Sequence, residues 1–286
     1  MEIKEITAKS ILTKTTLKNV DFDYTVNPYI GCAFGCVYCY ASFMGRFVGK
    51  KNEDWGSYVF AKINAPELLA KEIQKLPDKG KENVIWFSSV TDPYQGLEAK
   101  YKLTRKCLEA LLAYGYQGQV HILTKSDLLL RDIDFFKKTP RFSVGLTITS
   151  TDDDVSRYFE KFAPPVSVRL KALRTLKEAG LHTYAFVGPL LPHILTDERA
   201  LDQLFNQIAE TGNTSLVVEY FNASPYILKR LEKELKGIDE KTIDIFRMSN
   251  NKEYRLEWDE RIKKLVSKYK LVLAYGGALY HPEMEK

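Results

Sequence analysis

Cysteine is scarce in this sequence and unevenly placed. Only four cysteines occur among 286 residues, and three of them, at positions 32, 36 and 39, fall within eight residues. A disulfide framework spreads its cysteines along the chain, so this arrangement excludes a fold that depends on disulfides. The pattern favours reduced thiols and therefore a cytoplasmic location.

Long apolar runs and a strong charge excess are lacking as well. No stretch approaches the roughly 18 consecutive apolar residues of a membrane span, and the N-terminus has no signal-peptide pattern, so we expect no membrane attachment. The 42 lysines and arginines face 37 aspartates and glutamates, a formal net charge of +5. This mild excess gives no indication of nucleic-acid binding, although it leaves a nucleic-acid substrate open.

A linker rich in proline, glycine or serine is also absent. Apolar residues make up 45% of the chain and charged residues 28%, which is typical of a globular protein. A chain of this length can form one α/β barrel. We therefore predict a single domain over residues 1–286, with a core at about 24–236 and a C-terminal extension at about 237–286.

The chain does contain a regular alternation of strand-like and helix-like segments. Six apolar, β-branched runs are each followed by a helical run, which predicts an α/β fold with a parallel sheet and helices outside it. The predicted strands are 24–30, 83–89, 119–124, 142–149, 181–188 and 214–220. The predicted helices are 66–76, 101–114, 127–137, 165–179, 197–211 and 225–236, followed by a helix at 253–269 and a strand-like run at 271–275.

The three clustered cysteines lie in the loop after the first predicted strand, with the spacing C-x3-C-x2-C. Three thiolates from one short loop can hold three corners of a cubane iron–sulfur cluster and leave one iron open. Gly31 and Gly35 allow the backbone to fold around such a group. Structural zinc prefers four ligands, usually as two separated pairs. A non-catalytic zinc or iron–sulfur binding module remains the alternative from another functional class.

This loop resembles the cluster loop of the radical S-adenosylmethionine (SAM) enzymes, in which an aromatic residue precedes the last cysteine. The string at 27–41 is more specifically similar to the branch related to the spore photoproduct lyases. The resemblance covers about residues 24–195. Further similar strings are Ser-Val-Thr-Asp-Pro-Tyr-Gln at 89–95, Leu-Thr-Arg at 103–105, Leu-Thr-Lys-Ser at 123–126 and Leu-Arg-Asp-Ile-Asp at 130–134.

The resemblance implies a partial (β/α)6 barrel of the TIM type with short N- and C-terminal extensions. It also implies an enzyme with two cofactors, a [4Fe-4S] cluster and SAM. In this family an external low-potential donor of the flavodoxin or ferredoxin type reduces the cluster, which cleaves SAM reductively. The resulting 5′-deoxyadenosyl radical abstracts hydrogen from a substrate, here unidentified, and the protein supplies position and electrostatics.

The resemblance also assigns roles to individual side chains. Many family members hold the SAM amino group with a Gly-Gly-Glu string after the second strand; this chain lacks it, so backbone carbonyls or nearby hydroxyls such as Ser89 would take its place. For the other residues matched to SAM contacts, the alternative is that the side chain only packs in the fold or is exposed to solvent. The matching positions are Cys32, Cys36 and Cys39 for the cluster, Tyr38 beside the adenine, Lys125, Ser143 and Arg169 at the SAM carboxylate, and Tyr40 in radical transfer.

A DNA-repair lyase that splits a thymine dimer is the narrower alternative. In the spore photoproduct lyases a cysteine after the second strand returns hydrogen to the product radical. Val90 stands at that place here, and valine does not donate hydrogen readily. Cys107 lies at helical spacing with apolar residues, which predicts a core position. We therefore expect SAM cleavage without the lyase reaction.

Overall fold

The computed structural model describes residues 1–16, 20–235 and 237–280. Contacts divide the chain into two compact units. Unit 1 consists of Met1–Gly35, Ala41–Gly145 and Gly180–His182. Unit 2 consists of Cys36–Tyr40, Leu146–Ala179 and Thr183–Lys286. The assignment of the chain to one domain stays a prediction.

Unit 1 contains two sheets. Its strands are β1 (Glu2–Ile6), β2 (Leu12–Lys14), β3 (Tyr24–Val26), β4 (Tyr29–Ile30), β5 (Tyr58–Lys62), β6 (Val84–Phe87), β7 (Gln119–Thr124) and the first part of β8 (Phe142–Thr147). In the small sheet, β5 lies between β1, which is parallel to it, and β4, which is antiparallel. The large sheet has the order β2-β3-β6-β7-β8; β2 is antiparallel to β3, and β3, β6 and β7 are parallel.

Among its described residues, unit 1 has four helices and several 3-10 turns. They are α1 (Ala65–Glu72), α2 (Glu98–Tyr101), α3 (Leu103–Tyr114) and α4 (Ile133–Phe136), with 3-10 turns at Tyr40–Val48, Asn52–Asp54, Ile73–Lys75, Pro77–Gly80 and Asp127–Asp132. Tyr29, Val59 and Ala61 of the small sheet pack against Leu97 and Leu103, which places a hydrophobic cluster directly behind the cysteine loop. Burial of these side chains is the main stabilising term for this part of unit 1.

Unit 2 continues the pattern of strand followed by helix. Its strands are the end of β8, β9 (His182–Val187), β10 (Ser215–Val218) and β11 (Val272–Leu273), in the order β8-β9-β10-β11, and β9, β10 and β11 are parallel. Its helices are α5 (Asp153–Phe159), α6 (Val166–Glu178), α7 (Pro192–Thr196), α8 (Glu198–Glu210), α9 (Pro225–Glu234), α10 (Glu240–Met248) and α11 (Lys252–Lys268). Within the described residues, no helix has the length and hydropathy of a membrane span.

The predicted α/β fold with a parallel sheet is confirmed, with local differences. The first predicted strand, 24–30, is two short strands in different sheets: β3 joins the large sheet and β4 the small one. Pro28 lies between them and has no N–H for a ladder hydrogen bond. The predicted helix 127–137 is a 3-10 turn followed by the single turn α4. Residue 236, the end of another predicted helix, lies outside the described residues.

Two glycines allow the cysteine loop to lie against the small sheet. Gly31 has a φ of +88°, and a Cβ added there would be 2.4 Å from the backbone oxygen of Tyr58. Gly35 has a φ of +60°, and a Cβ added at Gly56 would be 2.8 Å from the Cα of Gly35. A side chain at Gly31 would push the loop away from β5, and a side chain at Gly56 would clash with the loop at Gly35.

We predict that Gly31→Ala destabilises the iron-free protein more than Gly180→Ala does. Both residues have positive φ, which costs L-residues about 1–2 kcal/mol. A Cβ at Gly180 has no atom within 4 Å in the described structure, whereas Gly31→Ala adds overpacking, worth about 1–3 kcal/mol more. Urea unfolding of both variants measures the difference. Equal losses would contradict the close approach of the loop to β5.

Candidate active site

The three clustered cysteines are in the described part of the chain and none forms a disulfide. Cys32 belongs to unit 1, and Cys36 and Cys39 belong to unit 2. Cys32 and Cys36 are buried and Cys39 is half-buried. Cys107 is fully buried on α3, as its helical spacing predicts. Among the described residues, no three His, Cys, Asp or Glu side chains are grouped as ligands of one metal ion.

The donor set nevertheless fits an iron–sulfur cluster. Thiolates are the ligands that such clusters take from proteins, and all three here come from one loop of eight residues. The loop has little regular secondary structure, and positive φ at Gly31 and Gly35 lets it curve. The three thiols of this loop are therefore the candidate ligands of an iron–sulfur cluster.

The carboxyl ends of β3, β6 and β7 lie at the same edge of the large sheet because these strands are parallel. Asn27 follows β3 and holds the segment after β6. Its Oδ1 accepts the Val90 N–H at 3.1 Å, and its Nδ2 donates to Ser89 Oγ at 3.4 Å. Ser89, predicted as a SAM contact, is therefore fixed at the edge where active residues gather in such folds.

Ser88, at the same edge, has an unusual backbone conformation and, among the described residues, an unsatisfied hydroxyl group. Its φ is +61°, an uncommon conformation for a residue with a side chain. Its Oγ is buried and has no hydrogen-bond partner among the described residues. Strained residues with unsatisfied polar atoms are concentrated at functional sites, so Ser88 joins Ser89 as a candidate for ligand contact.

Asp92 links the segment after β6 to the end of β7. Its Oδ1 accepts the Tyr94 N–H at 2.8 Å and the Thr124 hydroxyl at 2.6 Å, and its Oδ2 accepts the Lys125 N–H at 2.9 Å. Burial raises the pKa of Asp92, although these hydrogen bonds oppose the shift. The main chain of Lys125 is thus fixed, and its half-buried side chain starts from the carboxyl end of β7, as the sequence predicts. Ser143 is half-buried on the neighbouring strand β8.

A buried glutamate stabilises the start of α3. Glu98 is fully buried and accepts the Tyr29 hydroxyl at 2.5 Å. It also accepts the backbone N–H groups of Thr104 and Arg105 at 3.0 and 3.2 Å. Arg131 pairs with it at 3.2 Å. Glu98 therefore holds the segment before the cysteine loop and the first turn of α3, and its oxygens are occupied by protein groups.

The Leu-Thr-Arg and Leu-Arg-Asp strings meet in the same buried cluster. Asp132 is fully buried and accepts from Arg105 at 2.6 Å, from Arg131 at 2.9 Å and from the Tyr94 hydroxyl at 3.0 Å. The arginines lower the pKa of Asp132 against the effect of burial. These strings therefore form a structural ion cluster of unit 1.

In unit 2, the aromatic residue before the last cysteine is anchored by a buried glutamate. The Tyr38 hydroxyl donates to Glu160 Oε1, which also accepts the Thr149 hydroxyl at 3.1 Å. Glu160 pairs through Oε2 with Arg169, and both side chains are fully buried. Burial raises the pKa of Tyr38 well above its usual value, so this phenol is a neutral donor. Glu160 is 122 residues away from Tyr38 in the chain, so the sequence gives no signal for this pairing.

Arg169 was predicted at the SAM carboxylate, and the structure gives its guanidinium protein partners. Besides Glu160, its Nε donates to the Pro164 carbonyl at 2.8 Å and its Nη1 to the Thr147 carbonyl at 3.2 Å. Its contact with SAM stays a prediction. Among the described contacts, Arg169 supports Tyr38 through Glu160.

Tyr40 begins the 3-10 turn Tyr40–Val48 and is 42% exposed. Its carbonyl accepts the Tyr226 hydroxyl at 3.0 Å, which links the end of the cysteine loop to α9 within unit 2. Val37 of the same loop donates its N–H to the Phe159 carbonyl at 2.9 Å. Hydrogen bonds to its backbone groups therefore fix the second half of the loop. The Tyr40 ring is exposed to solvent.

His193 lies on α7, shortly after β9. Burial lowers its pKa to about 4, against the attraction of Asp152, so the imidazole is neutral near pH 7. Neither ring nitrogen has a hydrogen-bond partner among the described residues. A neutral imidazole donates from one nitrogen and accepts at the other, which suits contact with a polar ligand.

Comparison with known families identifies the class of this protein. The sequence pattern described as the Radical SAM superfamily matches residues 26–205, well over half of the chain. The protein therefore belongs to the radical SAM superfamily, and the predicted class of enzyme is confirmed.

Individual relatives agree with this membership. An uncharacterised protein of Methanocaldococcus jannaschii is 40% identical over 199 residues, which cover 69% of this chain and 71% of that protein. The radical SAM Nα-GlyT isomerase of Pseudomonas phage M6 is 26% identical over 215 residues, covering 72% of this chain and 42% of the phage protein. Spore photoproduct lyase complexed with dinucleoside spore photoproduct matches with a TM-score of 0.72 and 17% identity, over 97% of this chain and 81% of the lyase chain. This likeness shows the fold, and it confirms the predicted partial TIM-type barrel.

We predict that Arg169→Met lowers the free energy of unfolding of the iron-free protein by about 3–5 kcal/mol, because it leaves Glu160 buried without its cation. Arg174→Met on the same helix is the control. Arg174 is exposed, so its replacement should cost no more than about 0.5 kcal/mol. Chemical denaturation measures both values. A loss at Arg169 as small as that at Arg174 would contradict a buried ion pair.

Proposed function

We propose that this radical SAM enzyme binds one [4Fe-4S] cluster through Cys32, Cys36 and Cys39. The observation that carries the proposal is the loop of three reduced thiols with the spacing C-x3-C-x2-C in a chain that belongs to this superfamily. When bound, the reduced cluster supplies the electron that splits SAM into methionine and a 5′-deoxyadenosyl radical, which takes hydrogen from the substrate. The protein's part is to position these groups and exclude water.

The proposed SAM contacts are the residues that match the family's SAM contacts. In unit 1, the Lys125 ammonium and the Ser143 hydroxyl bind the SAM carboxylate, and Ser89 contributes near the amino group. In unit 2, Tyr38 lies against the adenine, and its hydroxyl bond to Glu160 holds the ring in one orientation. Tyr40, which directly follows the last cysteine of the loop, remains the proposed residue for radical transfer.

The electron comes from an external donor, which radical SAM enzymes in general require. We propose a small low-potential protein of the flavodoxin or ferredoxin type. The reduced cysteines fit a cytoplasmic location, where such donors and reduced thiols coexist.

We predict that anaerobic reconstitution with iron and sulfide gives about four irons per chain. Replacing Cys32, Cys36 or Cys39 by alanine should abolish this, because each thiolate holds one corner of the cluster. Cys107→Ala is the matched control and should keep its iron, since Cys107 lies in the core of α3. Metal and sulfide analysis measures the result. A single zinc without sulfide would favour the non-catalytic module instead.

The same reconstituted protein tests the reaction. With dithionite and SAM it should form methionine and 5′-deoxyadenosine in equal amounts. With dinucleotide spore photoproduct added, we expect no thymine dinucleotide, because Val90 offers only strong C–H bonds for the final hydrogen return. Multiple-turnover repair would establish the lyase alternative.

We predict that Lys125→Ala weakens SAM binding about ten- to a hundredfold, the loss expected for a charge-assisted hydrogen bond. Iron content should not change, because the substitution keeps the backbone N–H that bonds to Asp92. Lys137→Ala, which removes an exposed lysine, is the control. Equilibrium binding of SAM to the reconstituted proteins measures the effect. Unaltered SAM affinity at position 125 would remove Lys125 from the proposed site.

A further inference from the structure

Two side chains of the segment after β6 reach the cysteine loop. The Thr91 hydroxyl donates to the Gly31 carbonyl at 2.5 Å. The Gln95 side chain contacts the loop twice: its Oε1 accepts the Ala33 N–H at 2.8 Å, and its Nε2 donates to the Gly31 carbonyl at 3.3 Å. Both residues lie in the string Thr-Asp-Pro-Tyr-Gln, whose role the sequence left unassigned.

These bonds lie on either side of Cys32. Gly31 directly precedes this cysteine and Ala33 directly follows it, so both neighbouring residues are held by the same amide side chain. Gln95 is fully buried, and its Nε2 also donates to Thr91 Oγ1 at 3.0 Å. A glutamine side chain has one acceptor oxygen and two N–H donors, and all three functions are used here.

The Gly31 peptide is also restricted sterically. The Cβ that this residue lacks would lie 2.4 Å from the Tyr58 carbonyl oxygen, so the loop already touches β5 at this point. The chain at 31–33 is therefore restricted both by close contact with β5 and by hydrogen bonds from Thr91 and Gln95. Few backbone orientations of Cys32 satisfy both conditions.

We propose that Thr91 and Gln95 are positioning residues that fix the direction of the Cys32 thiol before the cluster assembles. The inference rests on the proposed cluster function. A cluster corner needs its sulfur at a set place, and a pre-organised loop avoids an entropy cost when the ligand binds. Neither residue is a catalytic residue, because the polar atoms of both side chains are directed at the loop and at each other.

The test uses conservative replacements that separate the hydrogen bonds from the shape of the side chains. Thr91→Val keeps the branched shape and removes the hydroxyl, whereas Thr91→Ser keeps the hydroxyl. Gln95→Met keeps the length and removes all polar atoms, and Gln95→Glu keeps an acceptor for Ala33 but loses both donors. Gln74→Met is the control, because Gln74 is exposed and bonds only to the Ala70 carbonyl of its own helical turn among the described residues.

Each protein is reconstituted anaerobically, and three quantities are measured: the rate of iron loss to a bipyridyl chelator, the electron paramagnetic resonance spectrum of the reduced cluster, and the urea unfolding of the iron-free protein. We expect Thr91→Val and Gln95→Met to lose iron about three- to tenfold faster than the parent, with an altered spectrum. Gln95→Glu should lose iron at least as fast as Gln95→Met, because a buried carboxylate oxygen would face the Gly31 carbonyl oxygen in place of the Nε2 donor. Thr91→Ser and Gln74→Met should match the parent in both cluster measurements.

The outcomes separate this inference from the proposed function. Parental iron loss and an unchanged spectrum in Thr91→Val and Gln95→Met would overturn the inference alone, whatever their unfolding shows. Loss of iron in Thr91→Ser equal to that in Thr91→Val would also overturn it, since the hydroxyl would then be irrelevant. Failure of the parent chain to assemble a cluster would overturn the proposed function and this inference together.

Discussion

A loop that presents three thiols has almost no secondary structure to satisfy its own peptide groups. Buried N–H and C=O groups need partners, and in this protein those partners come from distant parts of the chain. In unit 1, Gln95 meets the Ala33 N–H and Thr91 meets the Gly31 carbonyl. In unit 2, the Phe159 carbonyl meets the Val37 N–H. Segments that are distant in sequence thus supply the hydrogen-bond partners that the loop lacks.

Buried carboxylates carry much of that arrangement. Asp92, Glu98 and Asp132 in unit 1 and Glu160 in unit 2 are all buried, and each accepts several hydrogen bonds from protein groups. Burying a carboxylate is costly unless its oxygens are paired, so the removal of one partner is felt strongly. Fully paired, these groups fix the directions of neighbouring segments, which is what a site for large cofactors needs. Polar residues that resemble catalytic candidates in the sequence therefore serve mainly as supports.

The α/β fold and the class of the enzyme followed from local sequence signals. Strand and helix periodicity located the parallel strands, and the cysteine spacing identified the family, because both signals depend on residues close in sequence. Local signals did not predict the division of 24–30 into two strands. This division depends on Pro28 and on a second sheet that includes later residues of the chain. The partner of Tyr38 was not predicted for the same reason: Glu160 is 122 residues away, and a single sequence carries no signal for such a pair.

Val90, in the segment after β6, donates its backbone N–H to Asn27 Oδ1, a hydrogen bond that does not depend on its side chain. Its neighbours behave differently, since Thr91, Asp92 and Gln95 use their side chains to hold the loop and the end of β7. A change of side chain at 90 therefore leaves these supports intact. Different side chains can occupy position 90 without removing the hydrogen bonds that hold the cysteine loop and the end of β7 in place.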